Sequence, residues 1–203
     1  LSSFYLDIVK DRLYTKGKKS LPRRACQSVM YEILHTLVRI LTPVMPHQAE
    51  DIWFNMPANQ KDVESALLTD WAKAKDEWIN DALDEEFSKL LKTREVVARA
   101  IEPLRSSEPK VIGSSLEADI VITSDDKEKT ELLNKYSKLL GDLYIVSHVY
   151  TQKQDAEILN SLELDGFKVD VLKAKGEKCA RCWKFRELNE DGICEDCASA
   201  IKG

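Results

Sequence analysis

Four cysteines near the end of the sequence carry its strongest chemical signal. They form two Cys-x-x-Cys pairs, Cys179 with Cys182 and Cys194 with Cys197, and eleven residues separate the pairs. Each pair can fold into a knuckle that points both sulfur atoms at one metal ion, and four thiolates satisfy the tetrahedral geometry that zinc prefers. Because four thiolates leave no open coordination position, we predict a single structural Zn2+ rather than a catalytic one.

Two other uses of these cysteines agree less well with the sequence. A pair of disulfides requires an oxidising compartment, and no segment has the pattern of a secretion signal. Redox catalysis requires one Cys-x-x-Cys pair at a strand-to-helix junction, whereas this chain has two pairs. The fifth cysteine, Cys26, lies in a helical pattern and is expected to be a small buried apolar residue.

Composition and charge indicate a folded protein. Apolar residues make up 43% of the chain, charged residues make up 32%, and the net charge is -5. No run approaches the roughly 18 apolar residues of a membrane span, so we predict no membrane partner and a cytoplasmic location. The charge is uneven, since residues 168–186 contain seven basic and two acidic side chains. The first residue is Leu1, already within a helical pattern, so we expect the chain to be part of a longer protein.

The first half of the chain has the spacing of amphipathic helices that pack together. Apolar side chains recur with the helical period over residues 4–13, 25–44 and 83–104. Pro43 and Pro46 should end the second helix and let another begin near His47. We therefore predict a helical bundle over residues 1–107.

After Pro109, short runs rich in β-branched residues replace the helical period. Strand patterns cover residues 118–123, 143–150 and 167–171, and a helical pattern covers residues 127–140. We expect a small α+β domain over residues 108–175 and a zinc module over residues 176–203. The predicted fold class is mainly α, with a helical bundle followed by a small α+β unit and a C-terminal four-cysteine zinc module.

Four segments of the sequence resemble, in the same order, parts of one enzyme family. They are LSSFYLDIVKDRLY at 1–14, LTPVMPHQAEDIW at 41–53, GSSLEA at 113–118 and KCARCWKF at 178–185. The second resembles a helix junction shared by the synthetases for large aliphatic amino acids. The others resemble the isoleucyl-tRNA synthetases of bacterial type, so the bundle is expected to be their anticodon-binding domain. Together the four segments extend this resemblance over essentially the whole chain.

The resemblance implies a large class I ligase that activates isoleucine with ATP and attaches it to tRNA. Its two ATP-site signatures, His-x-Gly-His and Lys-Met-Ser-Lys-Ser, are absent from these 203 residues. We therefore expect no catalytic residue here and ATP binding only in a catalytic domain elsewhere. The expected partners are the anticodon stem-loop of tRNA(Ile) and the catalytic and editing domains of the same full-length chain.

Residues next to the first cysteine pair are predicted to contact RNA. Unpaired bases are read by stacking on aromatic or guanidinium planes, while lysines hold the phosphates. Arg181 and Trp183 flank Cys182, so a zinc knuckle would fix their backbone before RNA binds. In the family, the residues at these two places are implicated in anticodon contact. The complete predicted set is Arg181, Trp183, Lys178, Lys184 and Arg186, with Arg23 and Arg24 from a second basic cluster.

Two competing interpretations remain. A DNA-binding zinc module of the glycosylase type has a similar four-cysteine finger, although the N-terminal helical bundle does not suit it. A structural zinc domain would instead pack on the synthetase body and contact no RNA. In that case Trp183 would cover the zinc site as an apolar lid.

Overall fold

The computed structural model describes residues 4–57 and 63–202, and about half of the chain is helical. The helices are α1 (Tyr5–Tyr14), α2 (Leu21–Leu41), α3 (Pro46–Asn55), α4 (Asp81–Ser106), α5 (Lys127–Lys135), α6 (Ser137–Tyr144) and α7 (Glu195–Lys202). The strands are β1 (Ala118–Thr123), β2 (His148–Tyr150), β3 (Ile158–Leu164), β4 (Phe167–Lys173), β5 (Glu177–Lys178) and β6 (Phe185–Arg186). The first three residues of the segment at 1–14 lie outside the described residues.

A small mixed sheet accompanies the helices. Its strand order is β2-β1-β4-β3, with β1 and β2 parallel and β4 antiparallel to both of its neighbours. A parallel pair requires a crossover, and α5 and α6 supply it between β1 and β2. Strands β3 and β4 form a hairpin through Asp165 and Gly166, whose φ angles of 54° and 74° suit a tight two-residue turn.

Two compact units divide the elements, and each has its own core. The α2–α3 unit comprises Lys19–Ile79, and the sheet unit comprises Leu1–Lys18 together with Asn80–Gly203. This grouping differs from the predicted boundary at residue 107. The physical reason is that α4 packs on β3 and β4, and α1 packs on α6, so both helices bury their apolar faces in the core of the sheet unit.

A buried tryptophan lies in the core of the α2–α3 unit. Trp53 on α3 is fully buried with Val38 and Ala49, and its Nε1 donates a hydrogen bond to the Val63 carbonyl at 3.1 Å. Helix α2 ends at Leu41 and α3 begins at Pro46, as the prolines predicted. None of the described helices is both long and apolar enough to cross a membrane.

The cysteine module, residues 177–202, follows the last strand of the sheet. Strands β5 and β6 form a short antiparallel hairpin, an isolated bridge joins Leu188 to Cys194, and α7 completes the module. The Phe185 amide donates a hydrogen bond to the Ser147 hydroxyl at 2.7 Å, and that hydroxyl donates to the Leu116 carbonyl at 2.6 Å. These bonds fasten the hairpin to the beginning of β2.

Candidate metal centre and nucleic-acid interface

The four clustered cysteines meet at one point in the structure. Their Sγ atoms all lie within 4.8 Å of one another, and the Sγ atoms of Cys182 and Cys194 are 3.8 Å apart. Four sulfurs placed tetrahedrally at about 2.3 Å from zinc would be separated by about 3.8 Å. A disulfide requires about 2.05 Å, and all five cysteines are free. The cluster can therefore hold one metal ion, and its donor set fits zinc.

Local backbone geometry forms the two knuckles. In the first, the Trp183 amide donates to the Cys179 carbonyl at 2.9 Å, and the Cys179 amide donates to the Lys184 carbonyl at 3.0 Å. Trp183 closes this turn with φ of 65°, in the left-handed region. The second knuckle leads into α7, and the Cys194 amide donates to the Cys179 sulfur at 3.3 Å. Backbone donors thus stabilise negative charge on the sulfur atoms.

The electrostatics of the cluster favour a bound dication. Burial raises the pKa of the Cys182 thiol, and charge on Cys197 and Cys194 raises it further. Burial also raises the pKa of Cys197, to about 11. For Cys179, burial opposes ionisation, but the amides of Cys182, Cys194 and Arg181 outweigh it and lower the pKa to about 6. Because thiolates in one cluster repel each other, a divalent cation is the group that allows all four to ionise.

Lys184 forms an ion-pair clamp between the first knuckle and two helices. Its Nζ lies 2.8 Å from Asp142 Oδ1 on α6 and 3.0 Å from Asp11 Oδ2 on α1. The Lys184 side chain is only 13% exposed. Burial opposes its charge, but Asp142 and Asp11 together raise its pKa above the ordinary value. The phosphate contact predicted for Lys184 does not fit this arrangement, because two carboxylates already neutralise its ammonium.

Arg181 also contacts the body of the sheet unit. Its Nη1 donates to the Thr15 carbonyl, and its Nη2 donates to the Tyr14 carbonyl at 3.3 Å. These carbonyls lie at the C-terminal end of α1, where helical carbonyls lack intrahelical partners and attract cations. Arg181 therefore fixes the position of the first knuckle on α1.

Arg186 belongs to a polar chain that ends at a buried carboxylate. Its Nη1 lies 2.7 Å from His148 Nε2, and His148 Nδ1 lies 3.1 Å from Asp119 Oδ1. Because a guanidinium can only donate, His148 accepts at Nε2 and donates from Nδ1 to Asp119. Arg186 Nη2 also donates to the Ser147 carbonyl at 3.1 Å. Both terminal nitrogens of the Arg186 guanidinium, which was predicted to contact phosphate, thus have partners within the protein.

Trp183 and Lys178 remain presented to solvent. Trp183 is 60% exposed, and the Lys178 ammonium lies 5.3 Å from the centre of its ring. Lys178 is itself exposed on β5. A side chain that covered the metal as a lid would be largely buried, so the exposure of Trp183 favours contact with an external ligand. Arg23 and Arg24 lie in the first turn of α2, in the other compact unit.

One known protein family matches more than half of this chain. Residues 1–122 match the family described as the anticodon-binding domain of tRNA ligase. The chain belongs to this anticodon-binding family. The match runs from α1 to β1 and thus includes residues of both compact units.

Individual relatives extend the similarity over the cysteine module. The isoleucine–tRNA ligase of Fervidobacterium nodosum is 42% identical over 212 residues, which covers 100% of this chain and 22% of the relative. Those of Thermotoga petrophila and Gloeobacter violaceus are 39% and 40% identical, again over 100% of this chain. This anticodon-binding chain therefore spans only 21 to 22% of the length of the curated relatives it matches.

Several functional partners in this anticodon-binding chain escaped sequence reasoning. Asp11, Asp142 and Asp119 each pair with a basic or histidine side chain at or beside the cysteine module, and the local patterns of Asp11 and Asp142 do not set them apart from other polar residues. Asp11 lies at an ordinary polar position of an amphipathic helix. Only the segment Asp119 to Ile122 offered a signal, since a carboxylate inside a β-branched run needs a buried partner.

Proposed function

We propose that the chain is the anticodon-recognition region of an isoleucyl-tRNA synthetase and binds the anticodon stem-loop of tRNA(Ile). The observation that carries this proposal is the exposed Trp183, held by the first knuckle in a chain of the anticodon-binding family. Its similarity to isoleucine–tRNA ligases over its full length supports isoleucine as the amino acid of the parent enzyme. Arg23 and Arg24, in the first turn of α2, would add RNA contacts from the α2–α3 unit.

The parent enzyme, in this proposal, is a cytoplasmic ligase that uses ATP to attach isoleucine to tRNA. The chain would contribute RNA binding, and its remaining partners would be the catalytic and editing domains of the same polypeptide. ATP would bind only in that catalytic domain, because these residues contain neither ATP-site signature.

The metal in the proposal is a single structural Zn2+ on Cys179, Cys182, Cys194 and Cys197. Four thiolates close its coordination sphere, so zinc would fix the knuckles and supply no Lewis acid to a substrate. By holding Cys182, the metal would hold the residues on both sides of it. The side chain of Trp183 would then be oriented before RNA arrives, which lowers the entropy lost on binding.

RNA contacts divide into two classes in this proposal. Trp183 would stack on an unpaired base, and Lys178 would attract the adjacent phosphate. Arg181, Lys184 and Arg186 would act mainly as positioning residues, because their donors contact α1, α6 and His148. Base stacking is sequence-tolerant by itself, so hydrogen bonds to base edges from the knuckle backbone would have to supply discrimination.

Trp183→Ala tests the proposal directly. Loss of one stacking side chain weakens single-strand binding by roughly 1 to 3 kcal/mol, so affinity for the tRNA(Ile) stem-loop should fall about tenfold or more. The zinc content should not change, because the tryptophan side chain is not a ligand. Fluorescence anisotropy with a labelled stem-loop measures the affinity, and elemental analysis measures the zinc.

The controls separate the competing functions. A non-cognate stem-loop and a DNA duplex should bind the parent chain more weakly than the cognate RNA. Preference for duplex DNA would favour the glycosylase-type module. Equal cognate binding by zinc-loaded parent and Trp183→Ala chains would leave the module a purely structural role.

A further inference from the structure

A cavity of about 460 Å³ opens beside Trp183 in the sheet unit. Helix α1, helix α6 and the first knuckle line it, and it is open to solvent on one side. Its apolar surface comes from Ile8, Tyr14, Leu116, Gly141, Ile145 and Trp183. All of these residues lie within one compact unit, so the cavity has a defined shape.

Two exposed aromatic side chains line this cavity. Tyr14 at the end of α1 is 75% exposed, and Trp183 is 60% exposed. Leaving two large rings in water at one site is costly for a folded protein, because each ring could bury substantial apolar area. Arg181 links the backbone at Tyr14 to the backbone at Trp183. Its guanidinium donates a hydrogen bond to the Tyr14 carbonyl, and Arg181 itself lies two residues before Trp183 in the sequence. The knuckle therefore fixes the positions of both aromatic residues.

Backbone strain is concentrated at the same place. Among the described residues, the non-glycine positions with positive φ are Ile145 at 58°, Asp165 at 54° and Trp183 at 65°. Ile145 and Trp183 both line the cavity. A β-branched isoleucine in the left-handed region is unfavourable, and such strain persists only where the surrounding structure imposes it. The knuckle turn imposes this backbone conformation on Trp183, and the end of α6 imposes it on Ile145, so both residues are held beside the cavity at a conformational cost.

The charges of the cavity select the kind of ligand. Lys10 pairs with Asp7 at 2.7 Å, and Lys184 pairs with Asp11 and Asp142, so most lining charges are neutralised. Arg181 and the exposed Lys178 add positive charge beside Trp183. An apolar interior with Arg181 and Lys178 beside Trp183 complements a flat aromatic group carried on a phosphate backbone. A nucleotide has this combination of properties, and an apolar peptide segment does not need the cations.

We propose that this cavity receives one unpaired nucleobase of an RNA loop, with Tyr14 and Trp183 as its two aromatic walls. This inference rests on the proposed function and adds to it a second stacking residue and the cavity that both rings line. The base leaves the loop stack and packs on Leu116 and Ile145, while Lys178 attracts a flanking phosphate. Tyr14 is the residue that this proposal newly assigns to RNA binding.

The test uses the zinc-loaded chain and stem-loop RNA with 2-aminopurine placed at each loop position in turn. A fluorescent base that enters the cavity should be quenched by the aromatic walls. Tyr14→Ala should relieve quenching at one position and weaken binding about tenfold. Tyr14→Phe keeps the ring and should bind within about twofold of the parent.

A second variant fills the cavity without removing an aromatic ring. A Cβ on Gly141 would meet only the Val146 carbonyl oxygen, at 3.9 Å, so α6 can accept a side chain there. Gly141→Leu should reduce affinity and quenching as strongly as Tyr14→Ala, whereas Gly141→Ala should have a small effect. Ile158→Ala, on the far edge strand β3, is the matched control and should leave binding unchanged.

The outcomes separate this inference from the proposed function. If the parent chain binds no stem-loop RNA, both ideas are overturned. A second outcome is that the parent binds, that Tyr14→Ala and Gly141→Leu bind RNA with the parent's affinity, and that Trp183→Ala binds RNA more weakly. The anticodon is then read at Trp183 outside the cavity, and this inference is overturned. If all three variants match the parent, neither Trp183 nor the cavity contacts RNA.

Discussion

The core under the sheet and the cysteine module belong to one compact unit, yet different forces hold them. In the core, Ile120, Ile122 and Leu140 are completely buried, so removal of apolar area from water stabilises it. In the module, the buried cluster consists of Cys179, Cys194 and Cys197, with a few half-buried apolar neighbours. The module therefore depends on its metal and on polar ties to α1 and α6. The residues proposed to bind RNA are concentrated in the region with the least apolar support.

The largest expected effect comes from breaking the metal site. Cys194→Ser should abolish stoichiometric zinc binding and unfold residues 177–202, because metal binding and folding of such a module are a single equilibrium. The core of the sheet unit should survive. Elemental analysis should show less than half an equivalent of zinc, and amide NMR signals of the module should lose their dispersion.

A core substitution provides the opposite case. Ile120→Ala should destabilise the sheet unit by about 2 to 5 kcal/mol while the folded fraction keeps its zinc. Global loss of helicity in Cys194→Ser would show that the two regions are not independently stabilised.

The second largest expected effect is the loss of stability on removing the charge of Lys184. Lys184→Met should leave the carboxylates of Asp11 and Asp142 close together without their shared cation, and removing one partner of a buried pair costs roughly 3 kcal/mol. Urea unfolding monitored by the amide NMR signals of the module should show the loss of stability there. Lys184→Arg is the matched control, since it keeps the positive charge. Equal stability of parent and Lys184→Met would show that the clamp contributes nothing.

The ion pairs of Lys184 also determine how the stability difference between the parent and Lys184→Met depends on pH. For Asp11, burial opposes ionisation, but Lys184 outweighs it and lowers the pKa below 3.8. A carboxyl group whose pKa is lower in the folded state than in the unfolded state stabilises the fold at pH values above its unfolded-state pKa. This stabilisation is lost as the pH falls through its folded-state pKa. For Lys184 the pKa is raised above 10.5, so its contribution is lost as pH rises through that higher value. Parent and Lys184→Met should therefore converge in stability at both extremes of pH.

The smallest effect belongs to the exposed cation. Lys178→Ala should weaken cognate and non-cognate RNA alike by a few fold, and make the dependence of log affinity on log salt shallower by about 0.7 for a single-stranded loop. Zinc content and stability should match those of the parent. Titrations at several salt concentrations measure the slope. A selective loss of cognate binding would mean that Lys178 reads a base.

Sequence alone was enough to anticipate the cysteine cluster, because two close pairs can converge on one ion almost regardless of the fold around them. The helical period of α2 and α4 was equally readable. The partner of each helix was not, since an apolar stripe at Leu90, Val97 and Leu104 shows that a face is buried but not what covers it. That is why α4 was expected in a bundle with α2 and instead packs on the sheet.

Basic side chains were the least predictable part of the proposed interface. Lys184 and Lys178 have similar surroundings in the sequence, yet one is buried between carboxylates and the other is exposed. Asp11 and Asp142 are too distant along the chain for any local pattern to pair them with Lys184. Proximity to the cysteines therefore indicated a functional neighbourhood, and only the fold divided it into residues that hold the module and residues that face the solvent.

The bond between Arg181 and the Thr15 carbonyl has a consequence for biosynthesis. These residues are 166 positions apart, and the α2–α3 unit lies between them in the sequence. A ribosome that adds roughly 5 to 20 residues per second would need roughly 10 to 30 seconds to reach Arg181 after Thr15 has emerged. Within that interval the α2–α3 unit is completed at Ile79, whereas α1 still lacks its bond to Arg181. The nascent chain should therefore be able to fold its inserted unit before it secures the end of α1.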